Sequence, residues 1–283
     1  SIHWLWGRPH VVAPWFVAGV GFPGARCDCM AVHYPLPSHP EGRAGGVYGS
    51  SRRRRQAVLQ FRSGRGTLSF MKVRIIPVTA YEQNCSLLCC ESTGKAAVVD
   101  PGGEPGRILA AAEEAGVELE KILVTHGHFD HAGAVGSMAR ELGLPIEGPH
   151  QDDRFLLDTI PQWCRQFGFP PGESFVPGRW LDEGDQVCFG EQTLDVHHCP
   201  GHTPGHVIFF HRRDRIAIVG DVIFKGSIGR TDFPRGDHAT LLRSIRDRLW
   251  PLGDDVTLLP GHGPTTTVGE ERAHNPFLQG TYG

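Results

Sequence analysis

Regular spacing of apolar side chains begins at Met71 and predicts strands and helices in mixed order through the rest of the chain. Short runs rich in β-branched residues predict strands at 73–78, 85–91, 95–99, 121–125, 186–189, 193–198, 216–219 and 256–259. Apolar positions three and four residues apart predict helices at 104–115, 134–144, 152–167 and 237–249. An order of three strands, helix, strand and helix predicts an α/β protein with helices packed on sheets.

Two of the predicted helices have features that bear on their ends. Asp237 is expected to cap the N-terminus of helix 237–249, because its carboxylate can accept from a free backbone N–H group of the first turn. Pro161 is expected to bend helix 152–167 or to end it early, because proline removes a hydrogen bond from the helix interior. The side chains expected to face inward in that helix are Phe155, Leu156, Ile160 and Trp163.

Residues 1–70 differ from the rest of the chain in pattern and in charge. They show no sustained period of 3.6 or 2, and nine arginines, no lysine and two acidic residues give them a net charge of +7. Because the whole chain carries −3, residues 71–283 carry −10. The composition suits a nucleic-acid-binding patch, an organellar transit peptide, or an extension outside the native protein. We favour a disordered or non-native extension, with residues 71–283 as one enzyme domain.

No segment of the sequence predicts a membrane span. The apolar stretch 11–22 is interrupted by Pro14 and is shorter than the roughly 20 residues that a bilayer requires. Eight cysteines are scattered without the spacing of a disulfide framework, which indicates a reducing compartment, and Cys199 is expected to be a buried thiol. We therefore expect a cytoplasmic protein that binds neither membrane nor nucleic acid; the sequence predicts no oligomeric state.

Four side chains that can bind metal lie within six residues after predicted strand 121–125. His126 and His128 can share one ion, and Asp130 and His131 can reach a second. Burying such a group without a metal would leave polar atoms unpaired at a cost of roughly 1–3 kcal/mol each. Histidine nitrogen and carboxylate oxygen are ligands that zinc and its neighbours favour, so the spacing predicts a metal site.

Three further strand ends carry residues of the same kinds, namely His202, Asp221 and His262. Asp221 can bridge two cations with its two carboxylate oxygens. Asp100 and His206 are expected to orient ligands rather than to bind an ion themselves. The predicted ligands are His126, His128, His202 and Asp221 for one ion, and Asp130, His131, His262 and Asp221 for the other.

Two such ions about 3.5–4 Å apart can share a hydroxide, lower its pKa towards neutrality and hold it against an electrophilic carbonyl. The expected nucleophile is therefore a metal-bridging hydroxide, with Asp130 as the catalytic side chain beside it. No serine or cysteine nucleophile is needed.

The motifs that contain these residues resemble those of the metallo-β-lactamase superfamily, and the resemblance extends over residues 71–283. They are Thr-His-Gly-His-Phe-Asp-His at 125–131, Pro-Gly-His-Thr-Pro-Gly-His at 200–206, Gly-Asp at 220–221 and Pro-Gly-His-Gly at 260–263. The resemblance implies a four-layer αβ/βα sandwich with the metals at the edge of two sheets. Residues 226–237 and 271–278 resemble short glyoxalase II-like hydrolases, which are hydroxyacylglutathione hydrolases that cleave S-lactoylglutathione to lactate and glutathione.

The resemblance implies a glutathione-derived thioester as substrate and two divalent ions as cofactors, with zinc expected and iron or manganese also suited to these ligands. Full-length glyoxalase II adds a C-terminal helical domain that supplies much of the glutathione pocket, whereas this chain ends at residue 283, 21 residues after His262. Arg230 stands where the longer enzymes have a glutathione-contacting lysine, so we expect it to bind substrate. Asp232 stands where they have tyrosine, so that contact is not carried over.

Three other functions compete with thioester hydrolysis. Persulfide dioxygenases share this fold and a glutathione-derived substrate. The resemblance to them would instead imply a mononuclear iron site with two histidines and one aspartate as ligands. A non-catalytic binding module would be expected to lack at least one metal-binding residue. Every predicted metal-binding residue is present, which disfavours that function. A β-lactamase is less favoured, because no export signal is visible and the second site is Asp-His-His.

Overall fold

The computed structural model describes residues 70–279 and the backbone of residues 57–59. Within this part of the chain, six strands form a first sheet in the order β1-β2-β3-β4-β5-β6. Strands β2 to β4 are antiparallel neighbours, whereas β4, β5 and β6 run parallel. The bounds are β1 Ala57–Leu59, β2 Met71–Val78, β3 Gln83–Cys90, β4 Lys95–Val99, β5 Glu118–Leu123 and β6 Ile146–Glu147.

Six later strands form a second sheet in the order β14-β13-β10-β9-β8-β7, and a two-stranded ribbon, β11 and β12, lies outside both sheets. The pair β10 and β13 is parallel, and the other neighbours are antiparallel. The bounds are β7 Gln186–Phe189, β8 Gln192–His198, β9 Val207–His211, β10 Ile216–Gly220, β11 Ile223–Phe224, β12 Ser227–Ile228, β13 Thr257–Pro260 and β14 Thr266–Thr267.

Helices cover the outer faces of the two sheets. They are α1 Pro105–Ala115, α2 Phe129–Ala132, α3 Val135–Leu142, α4 Arg154–Gln166, α5 His238–Ser244 and α6 Val268–His274. A 3₁₀ turn at Gln151–Asp153 precedes α4, and a π-helical turn at Ile245–Leu249 continues α5 into a 3₁₀ turn at Trp250–Leu252. No helix in the described part of the chain has the length and apolar character to cross a bilayer.

Three apolar clusters define the layers. The first joins the outer face of the first sheet to α1, α3 and α4, and the third joins the outer face of the second sheet to α5 and α6. The second cluster lies between the two sheets. Successive strand residues point to opposite faces, so in β4 Val98 packs against helices and Val99 against the other sheet. The layer order is therefore helix, sheet, sheet, helix, as expected for an αβ/βα sandwich.

Several predicted elements differ from the structure in extent. Helix α4 continues through Pro161 to Gln166, so it does not end early at the proline. Its buried residues are Leu156, Leu157, Ile160 and Cys164, whereas Phe155 and Trp163 are only half-buried. Strand β9, which contains the apolar run 207–210, was not predicted.

The prediction for residues 1–70 lies largely outside the described residues. Within that stretch, the backbone of Ala57–Leu59 forms β1, which pairs antiparallel with β2 from Ala57 opposite Ile75 to Leu59 opposite Val73. The assignment of 1–70 as an extension stays a prediction.

Phe209 tests the packing between the sheets, because it is fully buried in the cluster that both sheets share. Replacing Phe209 by alanine is expected to lower the free energy of unfolding by about 3–5 kcal/mol through lost burial and a cavity. The matched change Phe277→Ala removes a ring that is 37 % exposed and should cost less than about 1 kcal/mol. Urea denaturation followed by circular dichroism measures both, and equal losses would contradict this view of the core.

Candidate metal centre

Five loops meet at one edge of the sandwich because of strand direction. Parallel strands β4 and β5 end side by side, which brings Asp100 next to the loop that starts at Thr125. Parallel strands β10 and β13 end side by side in the other sheet, which brings Asp221 next to His262. The two edges are joined directly, since the backbone N–H of Val207 donates to the Thr125 carbonyl at 2.8 Å.

Three histidines form a first cluster at this edge. Nε2 of His126 lies 3.1 Å from Nδ1 of His128, and Nε2 of His202 lies 3.0 Å from the same atom. His126 and His202 are buried and His128 is half-buried. These three side chains come from two loops that are 74 residues apart in the chain.

Asp130, His131 and His262 form a second cluster beside the first. Nε2 of His131 lies 3.3 Å from Nε2 of His262, which itself lies 3.3 Å from Oδ2 of Asp130. Asp221 stands between the clusters: its Oδ1 is 3.3 Å from His131 Nε2, and its Oδ2 is 3.6 Å from His202 Nε2 and 3.7 Å from His262 Nε2. The structure therefore brings all seven predicted ligands together.

The outer nitrogens of His202 and His262 carry the hydrogen in each neutral ring. His202 Nδ1 donates to the Arg230 backbone carbonyl at 2.7 Å, and His262 Nδ1 donates to the Tyr81 carbonyl at 3.2 Å. Because a carbonyl oxygen only accepts, the tautomer is settled and each Nε2 is left with a lone pair directed into the site.

The rings of His126 and His131 are oriented in the same way through Asp100. This carboxylate accepts from the Thr125 hydroxyl at 2.6 Å and from His131 Nδ1 at 3.0 Å. The Thr125 oxygen therefore accepts from His126 Nδ1 at 3.0 Å. Four imidazole rings thus point lone pairs inward, and Asp100 sits where the sequence predicts a ligand-orienting partner.

This donor set fits divalent cations. Inward nitrogens lie 3.0–3.3 Å apart, close to the roughly 3.3 Å that separates ligands around a tetrahedral ion with bonds of about 2.0–2.1 Å. Oδ1 of Asp221 is buried and has no hydrogen-bond partner among the described residues. A buried carboxylate oxygen of this kind is costly unless a cation or donor meets it.

Charge separates the two clusters. Burial lowers the pKa of His128 to about 3 and that of His126 well below its ordinary value, so the first cluster consists of neutral rings. In the second cluster burial alone would lower the pKa of His131, but Asp221 and Asp130 outweigh it and raise that pKa well above its ordinary value. Those carboxylates demand a positive charge, and a divalent ion supplies it without a proton on the ring.

Asp221 itself is held in the charged form. Burial alone would raise its pKa, but His131 and His262 outweigh burial and hold the pKa well below the ordinary value. Its position depends on Gly261, because a Cβ there would lie 2.2 Å from Asp221 Oδ1 and 2.5 Å from His131 Cε1. No residue with a side chain can occupy position 261 without moving these two ligands.

His206 contacts two of the predicted ligands without belonging to either cluster. Its Nε2 accepts from the Asp221 backbone N–H at 3.0 Å, and its ring stacks on that of His126 with centroids 4.7 Å apart. Burial lowers its pKa well below the ordinary value, so the ring is neutral and able to accept. These contacts suit the predicted role of orienting ligands.

Arg230 lies at the mouth of the site, where its guanidinium is paired. Its Nε and Nη2 lie 2.9 Å and 2.6 Å from the two carboxylate oxygens of Asp232, and the pair is solvent-exposed. The guanidinium also lies over the Phe233 ring at 5.0 Å, and that ring is 4.6 Å from His128. Arg230 therefore stays a candidate for substrate binding. To bind a substrate carboxylate, its guanidinium must either leave Asp232 or contact both carboxylates at once.

Two further residues lie near the site, Asp153 and Cys199, and the sequence pattern predicted the environment of only the second. Asp153 was not predicted, yet its buried carboxylate accepts hydrogen bonds from the loops that carry His128 and His202. Its sequence context, the start of a polar helix turn, carries no signal for this role. Cys199 is buried as predicted, and burial raises the pKa of its thiol, which suits a packing residue rather than a nucleophile.

The chain belongs to the metallo-beta-lactamase superfamily, whose family model matches residues 78–262. The fold class predicted from the sequence is thereby confirmed, and members of this superfamily bind divalent metal ions through such clusters.

Within this superfamily, the sequence is similar to a relative of the glyoxalase type. Hydroxyacylglutathione hydrolase GloC of Haemophilus influenzae is 45 % identical over 209 residues, which cover 74 % of this chain and 98 % of the relative. Among solved structures, the B3 metallo-beta-lactamase BLEG-1 has a TM-score of 0.68 and 34 % identity over 74 % of this chain and 100 % of its own. TTHA1623, solved in a di-iron-bound form, has a TM-score of 0.66 and 36 % identity over 72 % and 99 %. The chain is therefore a metal-dependent hydrolase of the glyoxalase II-like kind.

Gly102 tests how tightly the loop of the second cluster is held. A Cβ at Gly102 would lie 1.6 Å from the Asp130 carbonyl oxygen, whereas a Cβ at Gly106 in α1 would meet nothing within 4 Å. Gly102→Ala is expected to lower the free energy of unfolding by about 1–3 kcal/mol or more and to reduce bound metal, because Asp130 must shift.

Gly106→Ala is the matched control and is expected to stabilise α1 by up to about 1 kcal/mol with unchanged metal content. Chemical denaturation and the metal-to-protein ratio measure both variants. If Gly102→Ala has the same metal content and the same free energy of unfolding as Gly106→Ala, the close contact between Gly102 and Asp130 does not hold the loop in place.

Proposed function

We propose that the protein is a thioester hydrolase that cleaves S-lactoylglutathione, or a closely related acyl thioester of glutathione, with the help of two divalent ions, zinc being the expected one. The observation that carries the proposal is the second cluster of Asp130, His131 and His262, joined to the first cluster by Asp221. The name of the Haemophilus influenzae relative, which specifies a hydroxyacylglutathione hydrolase, supports the substrate class.

The chemistry that a bound pair of divalent ions supplies is a lowered pKa for a coordinated water and polarisation of the substrate carbonyl. Hydrolysis of the thioester adds the oxygen of a water molecule to the carbonyl carbon and breaks the carbon–sulfur bond, and one proton of that water ends on the departing sulfur. Asp130 would be the catalytic side chain. Burial alone would raise its pKa, but His131 and His262 outweigh burial and lower it, so its carboxylate is ionised and able to accept a hydrogen bond from a water molecule.

Arg230 would bind a carboxylate of the thiol part of the substrate. Its guanidinium already forms a two-point pair with Asp232, and such a planar donor recognises carboxylates well. The Phe233 ring beneath it contacts the rings of His128 and His202, so a group bound by Arg230 lies one aromatic ring away from the first cluster.

The cellular setting is proposed from the cysteines. All six cysteines in the described residues are free thiols, and five of them are buried. Free thiols in this number suit a reducing compartment, in which glutathione is abundant. We therefore propose a cytoplasmic enzyme.

Two rival activities have specific support and define the assay. Iron can suit these ligands, and TTHA1623 was solved in a di-iron-bound form, so an iron-dependent oxidation, with glutathione persulfide as the substrate to test, is the first rival. The 34 % identity to a B3 metallo-beta-lactamase makes β-lactam hydrolysis the second. Purified protein of measured metal content is to be assayed with S-lactoylglutathione, with glutathione persulfide by oxygen uptake, and with a chromogenic β-lactam. Thioester cleavage with the highest kcat/KM supports the proposal, and dominance of either rival overturns it.

Asp130→Ala and His262→Ala are each expected to reduce kcat/KM for the thioester by about 100-fold or more, because each removes part of the second cluster. The exposed His274→Ala in α6 is the control for loss of a histidine and should keep full activity. Circular dichroism checks that the variants fold. Full activity in Asp130→Ala or His262→Ala would rule out a mechanism that uses both clusters.

Arg230→Ala is expected to raise KM by about 5- to 10-fold with a smaller change in kcat, because a charge-assisted hydrogen bond to substrate is lost. Arg212→Ala is the matched control, since Arg212 also pairs with an aspartate: its Nε and Nη2 lie 3.1 Å and 2.7 Å from Oδ2 of Asp195. Arg212 follows β9 at the end of the sheet opposite the metal centre. Steady-state kinetics decide, and an unchanged KM in Arg230→Ala would remove Arg230 from the substrate pocket.

A further inference from the structure

Asp153 has a fully buried carboxylate that is hydrogen-bonded to two separate loops of the metal centre. Its Oδ2 accepts from the Gly127 backbone N–H at 2.9 Å and from the Thr203 hydroxyl at 2.8 Å, and its Oδ1 accepts from the Gly205 backbone N–H at 2.6 Å. Gly127 stands between His126 and His128 in one loop. Thr203 follows His202 in the other loop, so one carboxylate contacts both loops that build the first cluster.

The three donors come from sequence positions 26, 50 and 52 residues away from Asp153. The two loops also contact each other directly. Nitrogens of His128 and His202 are 3.0 Å apart, and the ring of His206 stacks on that of His126 with centroids 4.7 Å apart. The Val207 N–H donates to the Thr125 carbonyl at 2.8 Å. Asp153 adds three hydrogen bonds from a third element, the 3₁₀ turn at Gln151–Asp153, and so fixes both loops to one carboxylate.

Close packing supports the same arrangement. A Cβ at Gly205 would lie 2.5 Å from the Asp153 backbone nitrogen, and a Cβ at Gly127 would lie 2.7 Å from the Leu156 Cβ. The His150 N–H also donates to the Gly205 carbonyl at 3.0 Å. Both loops therefore press directly against the 3₁₀ turn that bears Asp153 and the start of α4, without room for side chains between them.

We propose that Asp153 is a positioning residue, which sets the separation of His126 and His128 from His202 and so preorganises the first cluster for its ion. The inference rests on the proposed metal centre and adds a residue that touches neither ion nor substrate. Burial raises the pKa of Asp153 to about 6 against the three hydrogen bonds that lower it, so the carboxylate is charged at neutral pH and both oxygens accept. Partners of this kind, behind the ligands, set metal affinity as well as orientation.

Asp153→Asn tests the proposal with almost no change in volume. An amide presents one oxygen and one NH₂ group, so whichever way it turns, a donor faces either Gly205 N–H or the Gly127 and Thr203 donors. The affinity for Zn²⁺ at the first cluster is expected to fall about 10- to 100-fold, measured by competition with a chromophoric chelator. The visible absorption of the Co²⁺-substituted protein should change in intensity, because the ligand geometry changes.

Asp214→Asn is the matched control. Asp214 is another buried aspartate that accepts from a backbone N–H, that of Met71 at 3.0 Å, and it also contacts His211 at 3.2 Å. It lies in the turn between β9 and β10, at the end of the sheet opposite the metal centre. This variant should lose thermal stability while Zn²⁺ affinity and the Co²⁺ spectrum stay as in the parent protein.

Thr203→Val provides a second test that removes only one hydrogen bond from Asp153 and keeps the side-chain shape. It is expected to lower Zn²⁺ affinity by about 3- to 10-fold, less than Asp153→Asn. Parent-like affinity and an unchanged Co²⁺ spectrum in Asp153→Asn, or in Thr203→Val where Asp153→Asn does not fold, would overturn the proposal. An affinity loss equal to that of Asp214→Asn would overturn it as well. These measurements need no substrate. The positioning role of Asp153 can therefore be upheld when the thioester assay fails, and it can be rejected when that assay succeeds.

Discussion

The structure depends on placing buried carboxylates and inward-facing lone pairs at one edge of two sheets. Asp221 is central to this arrangement, because its buried side chain lies within 3.7 Å of ring nitrogens from both clusters and one of its oxygens has no donor among the described residues. Burying an anion in this way is unfavourable unless opposite charge meets it. The strand topology brings the ligands together, and the free energy of cation binding then becomes part of the stability of that edge.

The orientation of the ligands comes from groups that never face the ion. Backbone carbonyls of Arg230 and Tyr81 fix the tautomers of His202 and His262, and Asp100 fixes His131 directly and His126 through Thr125. Most of these partners belong to rigid strand ends or to turns bonded to them. An enzyme that must hold reacting groups within fractions of an ångström benefits from such preorganisation, because little reorganisation is left for the reaction itself.

Local patterns allowed the candidate ligands and most strands to be predicted, and non-local contacts explain what was missed. His126, His128, Asp130 and His131 form a dense local motif, and His202, Asp221 and His262 follow apolar strands whose ends meet for topological reasons. Asp153 could not be found in this way, because its partners lie 26 to 52 residues away and its own surroundings read as an ordinary helix start. Pro161 is tolerated because burial of Leu157, Ile160 and Cys164 offsets the one hydrogen bond that proline removes.

The two clusters are chemically unequal, and this bears on the ions that they favour. The first presents three imidazoles whose pKa values are all lowered, and Oδ2 of Asp221 lies 3.6 Å from Nε2 of His202. The second combines two imidazoles with Asp130 as well as Asp221. Imidazole-rich sites suit zinc, whereas added carboxylates shift preference towards harder ions such as manganese or ferrous iron. The two clusters therefore offer different donor sets to an ion, and Asp130 is the carboxylate that distinguishes the second cluster from the first.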